Sequence, residues 1–150
     1  MKKIFKNNIV IIGLTFFIPG ILALLCKGSF SNYKSLIKPK LSPPTILFPI
    51  VWSILYLLMS IAIILVKDKD ERNIKIYYAQ LILNAIWTPI FFCFKLYFIA
   101  FIELIILSII VIYMAYKFHL DNKYSSYLLI PYILWNLFAS YLNIYVALNN

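Results

Sequence analysis

Apolar residues in this chain form long unbroken runs, with neither the alternation of a half-buried strand nor the one-sided stripe of a soluble surface helix. Charges mark where each run stops. The first run extends from about Ile9 to Cys26 and is closed by Lys27; the second, from about Thr45 to Val66, stops at Lys67, Asp68, Lys69, Asp70, Glu71 and Arg72. A third covers about Ile76 to Phe94, before Lys95, and a fourth about Phe98 to Tyr116, before Lys117, His119, Asp121 and Lys123. The fifth runs from about Tyr127 to Leu148 and ends at Asn149 and Asn150. Each is near the ~20 residues a helix needs to cross ~30 Å of hydrocarbon. In lipid only helices and closed barrels satisfy every backbone group, and these runs are too few and too continuous for a barrel. The expected fold is all-α, a polytopic bundle of five transmembrane helices forming one domain over residues 1–150.

The connection 27–44 alone has room for structure of its own. Tyr33, Leu36 and Ile37 lie at near-helical spacing among Lys34 and Lys38, and Pro39, Pro43 and Pro44 follow. This predicts a short interfacial helix and then an extended Pro-Pro stretch leading into the second span. Pro19, Pro49, Pro89 and Pro131 fall within or at the start of spans, where each removes a backbone donor and can bend its helix if neighbours satisfy the freed carbonyl. Lys2, Lys3 and Lys6 ahead of an apolar run resemble a secretory signal, but Cys26, Lys27 and Gly28 do not form a small-residue cleavage pattern. An uncleaved first span is expected.

Composition narrows the function. The chain is 64% apolar and 13% charged, against ~45–50% and ~25% for a soluble domain, so it cannot cover a water-facing surface and a soluble enzyme is excluded. The formal charge of +9 comes from lysines spread over the span ends, which suits anchoring to anionic head groups and gives no nucleic-acid site. Lysine and arginine number nine on the side of the N-terminus and five on the other, which predicts a cytoplasmic N-terminus; the expected location is a bacterial cell membrane, crossed several times. Cys26 and Cys93, 67 residues apart, form no C-x-x-C and have no neighbouring histidine, so neither a metal site nor a disulfide framework is expected from them. His119, in a charged loop, reads as solvated. No metal and no cofactor are expected, and the chain shows no nucleophile-base pair, zinc motif or phosphate loop.

Polar side chains inside the bilayer are costly and turn toward the bundle interior. Gln80, Asn84 and Thr88 repeat every four residues on the third span; Asn136, Ser140 and Asn143 follow the same rule on the fifth; Glu103 stands on the fourth. Aromatics run beside them: Trp52 with Tyr56, Trp87 with Phe91, and Trp135 on the face of Ala139 and Asn143. All three tryptophans lie well inside spans, away from the interfacial belt where membrane Trp usually sits. Two readings stand. The amides bond helix to helix and the rings fill space, or together they wall a pocket for a large planar apolar ligand. Glu103 fits either as a neutral hydrogen-bond donor or as an ionised group beside a wet cavity.

Three blocks resemble the translocator protein family, also called tryptophan-rich sensory proteins or peripheral-type benzodiazepine receptors. The first is Lys38-Pro39-x-x-x-Pro43-Pro44-x-x-x-Phe48-x-x-Val51-Trp52-x-x-Leu55-Tyr56-x-x-Met59. The second is Gln80-Leu81-x-Leu83-Asn84-x-x-Trp87-x-x-x-Phe91-Phe92, and the third Leu129-x-Pro131-Tyr132-x-x-Trp135-x-x-Phe138-Ala139-x-x-Leu142-Asn143. The resemblance implies a tight five-helix bundle, a homodimer, and a pocket covered by the loop between the first two helices. It implies binding of porphyrins such as protoporphyrin IX and of benzodiazepine-type ligands. Carried over by position, the pocket residues would be Tyr33, Pro43, Trp52, Tyr56, Asn84, Trp87, Phe91, Trp135, Ala139 and Asn143. It also implies light-dependent porphyrin breakdown, with Trp52 and Trp135 flanking the macrocycle; otherwise no catalytic residue is expected. A transporter of porphyrin or lipid is the alternative, disfavoured because no internal repeat is visible. Leu41 stands where the family commonly has tryptophan, and no basic residue follows Tyr145, so the cholesterol pattern at the end of the fifth helix is missing; Val111, Tyr113 and Lys117 match it only formally.

Overall fold

The computed structural model describes residues 3–150; Met1 and Lys2, the latter counted in the charge asymmetry, lie outside the described residues. Five long helices follow one another: α1 (Asn8–Leu25), α2 (Leu47–Val66), α3 (Glu71–Thr88), α4 (Tyr97–Asp121) and α5 (Lys123–Asn149). A short 3₁₀ turn (Lys3–Lys6) precedes α1, a 3₁₀ helix (Lys27–Ser35) follows it, and a π-helical turn (Pro89–Cys93) extends α3. All five are long and apolar enough to span a membrane, and no strand occurs among the described residues. The chain is an integral, multi-pass, all-α membrane protein.

Helix ends extend past the apolar runs. Asp70 caps α3 by accepting the Arg72 backbone N–H at 2.8 Å, so Glu71 to Lys75, expected as loop, form the first turn of a helix. At the same end α4 continues to Asp121, and Asn122 alone separates it from α5, capping it through the Tyr124 N–H at 3.0 Å. His119 therefore stands in the last turn of α4, exposed, with its ring 6.1 Å from that of Tyr127. Apolar runs mark the lipid-crossing part of a helix; capping groups set its true ends. Lys117 and Arg72 both pair with Asp70, and Asn73 donates to Asp121 at 2.6 Å, tying α3 and α4 together.

The interfacial element also departs from expectation. It is 3₁₀ and stops at Ser35, so Leu36 and Ile37 lie beyond it. Leu36 has extended backbone, and Ile37 is held by the C-terminal residue: its N–H donates to Asn150 Oδ1 at 2.9 Å and its carbonyl accepts from Asn150 Nδ2 at 3.1 Å.

Cys26 and Cys93 are disulfide-bonded, with Cα atoms 5.6 Å apart. This overturns the reading of two unrelated cysteines. Their separation in sequence conceals that α1 ends, and the extension of α3 ends, on the same face of the bundle, within ordinary bridging distance.

Helix α5 packs on α4 and α2, α3 on α4, and α1 on α3 and α2. Met59, Ile63, Leu81, Leu107, Met114, Phe118 and Leu129 are buried at the centre, while Phe17, Ile54, Ile109 and Leu134 on the outer faces are more than half exposed. An apolar exterior of this kind suits hydrocarbon and would aggregate in water. Buried polar groups join helices: Thr15 Oγ1 meets the Tyr77 hydroxyl at 2.5 Å, and Ser125 Oγ donates to the Ala62 carbonyl at 2.6 Å.

Candidate functional site

The aromatic residues gather toward the end of the bundle that carries the 3₁₀ helix. Phe48 and Trp52, one turn apart on α2, meet Trp135 and Tyr132 on α5 in two edge-on pairs with ring centroids 6.0 and 6.2 Å apart. Trp52 also stacks on Tyr56 at 5.4 Å. Both tryptophans therefore lie on one α2–α5 seam, a turn apart, and both pack against the main core. Their i, i+4 and i, i+3 spacing on two facing helices produces this.

A second wall forms on α3 and its extension. Trp87 stacks on Phe91 at 5.0 Å, and Phe91 contacts Tyr97 of α4 at 5.0 Å. The Trp87 indole donates to Asn143 Oδ1 at 3.0 Å, and Asn143 Nδ2 donates to the Tyr97 carbonyl at 2.7 Å, which fixes that wall to α5 and α4. Pro89 makes the wall possible: it ends α3, and the π turn, in which the Phe94 N–H reaches back to the Pro89 carbonyl at 2.9 Å, re-aims Phe91 and Phe92. Lys95 then reverses the chain with φ 56°.

Tyr33, from the 3₁₀ helix, joins the two walls. Its ring lies 5.9 Å from Phe48 and 6.3 Å from Phe91. Lys38 places its ammonium 4.5 Å from the Tyr33 ring centroid and donates to the Tyr33 carbonyl at 2.7 Å, while Ser42 meets the Tyr33 hydroxyl at 3.2 Å. Pro43 and Ala139 are half-buried; Ala139 packs on the core beside the seam, and Pro43 lies between Ser42 and α2.

Beneath the rings runs a polar chain. The Tyr56 hydroxyl donates to Asn84 Oδ1 at 3.2 Å, Asn84 Nδ2 donates to the Tyr132 hydroxyl at 3.1 Å, and that hydroxyl donates to Gln80 Oε1 at 2.8 Å. For Gln80, Asn84 and Asn143, then, the plainer sequence reading holds in part: their amides bond helix to helix. Thr88 is only half-buried. The Ser140 hydroxyl serves its own helix, donating to the Asn136 carbonyl at 2.8 Å. Among the described residues four buried side chains keep polar atoms with no hydrogen-bond partner: the Glu103 carboxyl, the Asn136 amide and the Trp135 indole N–H near the site, and Asn73 Oδ1 at the other end of α3.

The rings touch one another, so a flat guest would have to part them. Space adjoins Trp135: a groove of about 370 Å³ between α2 and α5, lined by Val51, Ile54, Leu55, Pro131, Leu134, Trp135 and Phe138, opens on the lipid side. A second, of about 540 Å³, follows Gly13, Phe16, Phe17, Gly20 and Leu24 along the outer face of α1, where Phe16 meets Tyr56 edge-on at 5.7 Å. Sequence reasoning passed over Tyr132, Phe92, Tyr97 and Lys38 as site residues. Tyr132 carried a signal, lying four residues before Asn136 on the polar stripe; Phe92 and Tyr97 depend on the π turn, which no periodicity reveals. No cluster of three or more metal-ligating side chains occurs among the described residues.

Known proteins share this arrangement of sequence. The chain is 36% identical over 117 residues to the tryptophan-rich protein TspO of Chlorobaculum tepidum, covering 74% of each chain. It is 33% identical over 113 residues to the tryptophan-rich sensory protein of Cereibacter sphaeroides, covering 74% of this chain and 72% of the relative. To protein CrtK of Rhodobacter capsulatus it is 33% identical over 143 residues, covering 87% and 89%. The TspO/MBR family model matches residues 9–148, so this five-helix membrane protein belongs to the TspO/MBR family.

Proposed function

We propose that the chain is a membrane receptor that binds porphyrins, and benzodiazepine-type ligands, between its two aromatic walls beneath the 3₁₀ helix. One observation carries the reading: Tyr33 touches both Phe48, which leads to Trp135, and Phe91, which leads to Trp87, so the 3₁₀ helix acts as a lid. Flat rings stack well on such walls, and the Trp135 indole N–H, buried without a partner, offers a donor to an acceptor on the guest.

Trp52 and Trp135 would flank a macrocycle seated on the α2–α5 seam. On illumination an excited porphyrin at contact distance takes one electron from an indole and passes it to dioxygen; the indole radical cation is refilled from the macrocycle, and the porphyrin radical cation and superoxide so formed combine into the oxygenated breakdown product. The only residues this asks of the protein are the two indoles, as electron donors.

The same proposal puts the N-terminus in the cytoplasm. The lysine asymmetry supports this, and so does the disulfide, which lies at the opposite end of the bundle from the N-terminus, where an oxidising compartment preserves it. A homodimer, resting on the family likeness, completes it. Titration of the purified protein with protoporphyrin IX tests the reading: saturable quenching of Trp fluorescence is expected, weakened about tenfold by Trp135→Ala, the loss of one well-packed aromatic contact of ~1.4 kcal/mol. Unsaturable quenching that is unchanged in the variant would overturn it. Protein-dependent movement of porphyrin out of loaded liposomes would instead point to transport.

A further inference from the structure

We propose that the Cys26–Cys93 disulfide is a redox-sensitive clasp on the lid, opened by an extracytoplasmic dithiol to release a bound guest. The proposal rests on the reading that the aromatic walls take a flat guest.

The lid is fastened at three places. Its N-terminal root is covalent, because Cys26 immediately precedes the 3₁₀ helix and is bonded to the last residue of the π turn that carries Phe91 and Phe92. Its middle is aromatic: Phe30 meets Phe92 edge-on at 4.6 Å, and Tyr33 contacts Phe91, Phe92 and Phe48. Its far side is the exposed pair of hydrogen bonds between Ile37 and Asn150. The last two are non-covalent: ring pairs of this kind are worth ~0.5–1.5 kcal/mol each and the Asn150 pair is open to water, so both can open while the helices stay packed. Among the described residues the disulfide is the one covalent tie between the lid root and the wall that the lid must cover. It also joins the two elements whose separation would part Tyr33 from Phe91.

The bond is asymmetric in access. Cys26 is 2% exposed, whereas Cys93 is only half-buried. A thiolate of the dithiol therefore attacks Cys93 Sγ; the Cys26–Cys93 bond breaks and Cys26 leaves as a thiolate, which takes up a proton. The second thiol of the reductant then displaces Cys93 from the mixed disulfide. The dithiol ends as a disulfide, both cysteines end as thiols, and two electrons have passed to the protein. Reoxidation reverses each step.

Full-length protein in lipid nanodiscs tests this with two readouts, before and after treatment with dithiothreitol. Trypsin cleavage after Lys27 and Lys34, both exposed on the lid, should accelerate on reduction, while the helical circular dichroism stays constant. Protoporphyrin IX should dissociate about tenfold faster, as expected when a locally closed segment is freed to open. A Cys26→Ser/Cys93→Ser variant should behave as the reduced protein in both and ignore dithiothreitol. Should that variant fold poorly, the reduced and re-oxidised wild-type protein supplies the same comparison. Lid cleavage and porphyrin dissociation that do not change on reduction would overturn the clasp. Faster lid cleavage with no saturable porphyrin binding in either redox form would uphold the clasp and overturn the porphyrin reading.

Discussion

Tyr132→Phe removes a single oxygen and should weaken the bundle measurably. Tyr132 is fully buried, and its hydroxyl both accepts from Asn84 Nδ2 at 3.1 Å and donates to Gln80 Oε1 at 2.8 Å, joining α5 to α3. Neither amide has another route to water, since Gln80 is fully buried and Asn84 nearly so. Interhelical hydrogen bonds in membranes average ~0.6 kcal/mol and reach ~1.7, and two are lost here, with a buried donor and a buried acceptor left bare. The expected cost is about 1–2 kcal/mol, or roughly 5- to 30-fold in the folding equilibrium. Reversible unfolding in mixed micelles of increasing sodium dodecyl sulfate, followed by circular dichroism, measures it. Tyr124→Phe, on a side chain 62% exposed, is the control and should change nothing. A Tyr132→Phe protein within a few tenths of a kcal/mol of wild type would refute the argument that this polar chain holds the floor of the site.

Two further outcomes follow from local geometry. Lys95 has φ 56° at an exposed turn; the left-handed region costs a residue with a Cβ ~1–2 kcal/mol, so Lys95→Gly should gain about 0.5–1 kcal/mol and Lys95→Val should lose stability in the same unfolding assay. The Asp70 carboxyl is held below the ordinary carboxylate range, chiefly by the Arg72 backbone N–H and further by the Arg72 and Lys117 side chains. Its folded value lies under its unfolded one, so its stabilisation is complete above pH ~4 and fades as pH falls through the folded value. Unfolding midpoints taken from pH 6 down to pH 3 should drop at the acid end for wild type, and less for Asp70→Asn, which keeps a capping side chain without the charge.

The membrane-crossing part of the fold was readable because lipid leaves few options: five apolar runs long enough to span became five helices. The amide stripes were readable for the same reason, since polar groups in hydrocarbon must turn inward. Hidden were features set by a single local contact. Asp70 and Asn122 converted charged loops into helix ends, and Asn150 pulled Ile37 out of the interfacial helix. The disulfide was hidden by a 67-residue separation that the bundle closes to 5.6 Å between Cα atoms. In the site, periodicity singled out Trp52, Tyr56, Trp87, Phe91 and Trp135, which lie on spans, whereas Tyr33, whose spacing placed it only in an interfacial helix, and Pro43, in the loop beyond it, joined the site through family likeness, because a pattern outside the spans does not tell what it covers. Nor could periodicity decide that the Asn84 and Asn143 amides are occupied with other helices while the side chains of Asn136 and Glu103 have no hydrogen-bond partner.

A structure of the chain in nanodiscs with protoporphyrin IX bound tests the central claim most directly. The account predicts the macrocycle on the α2–α5 seam, flanked by Trp52 and Trp135, with Tyr33 moved off Phe48 to admit it. A macrocycle resting instead along Gly13, Phe17 and Gly20 on the outer face of α1, with the aromatic contacts of Tyr33 intact, would contradict it.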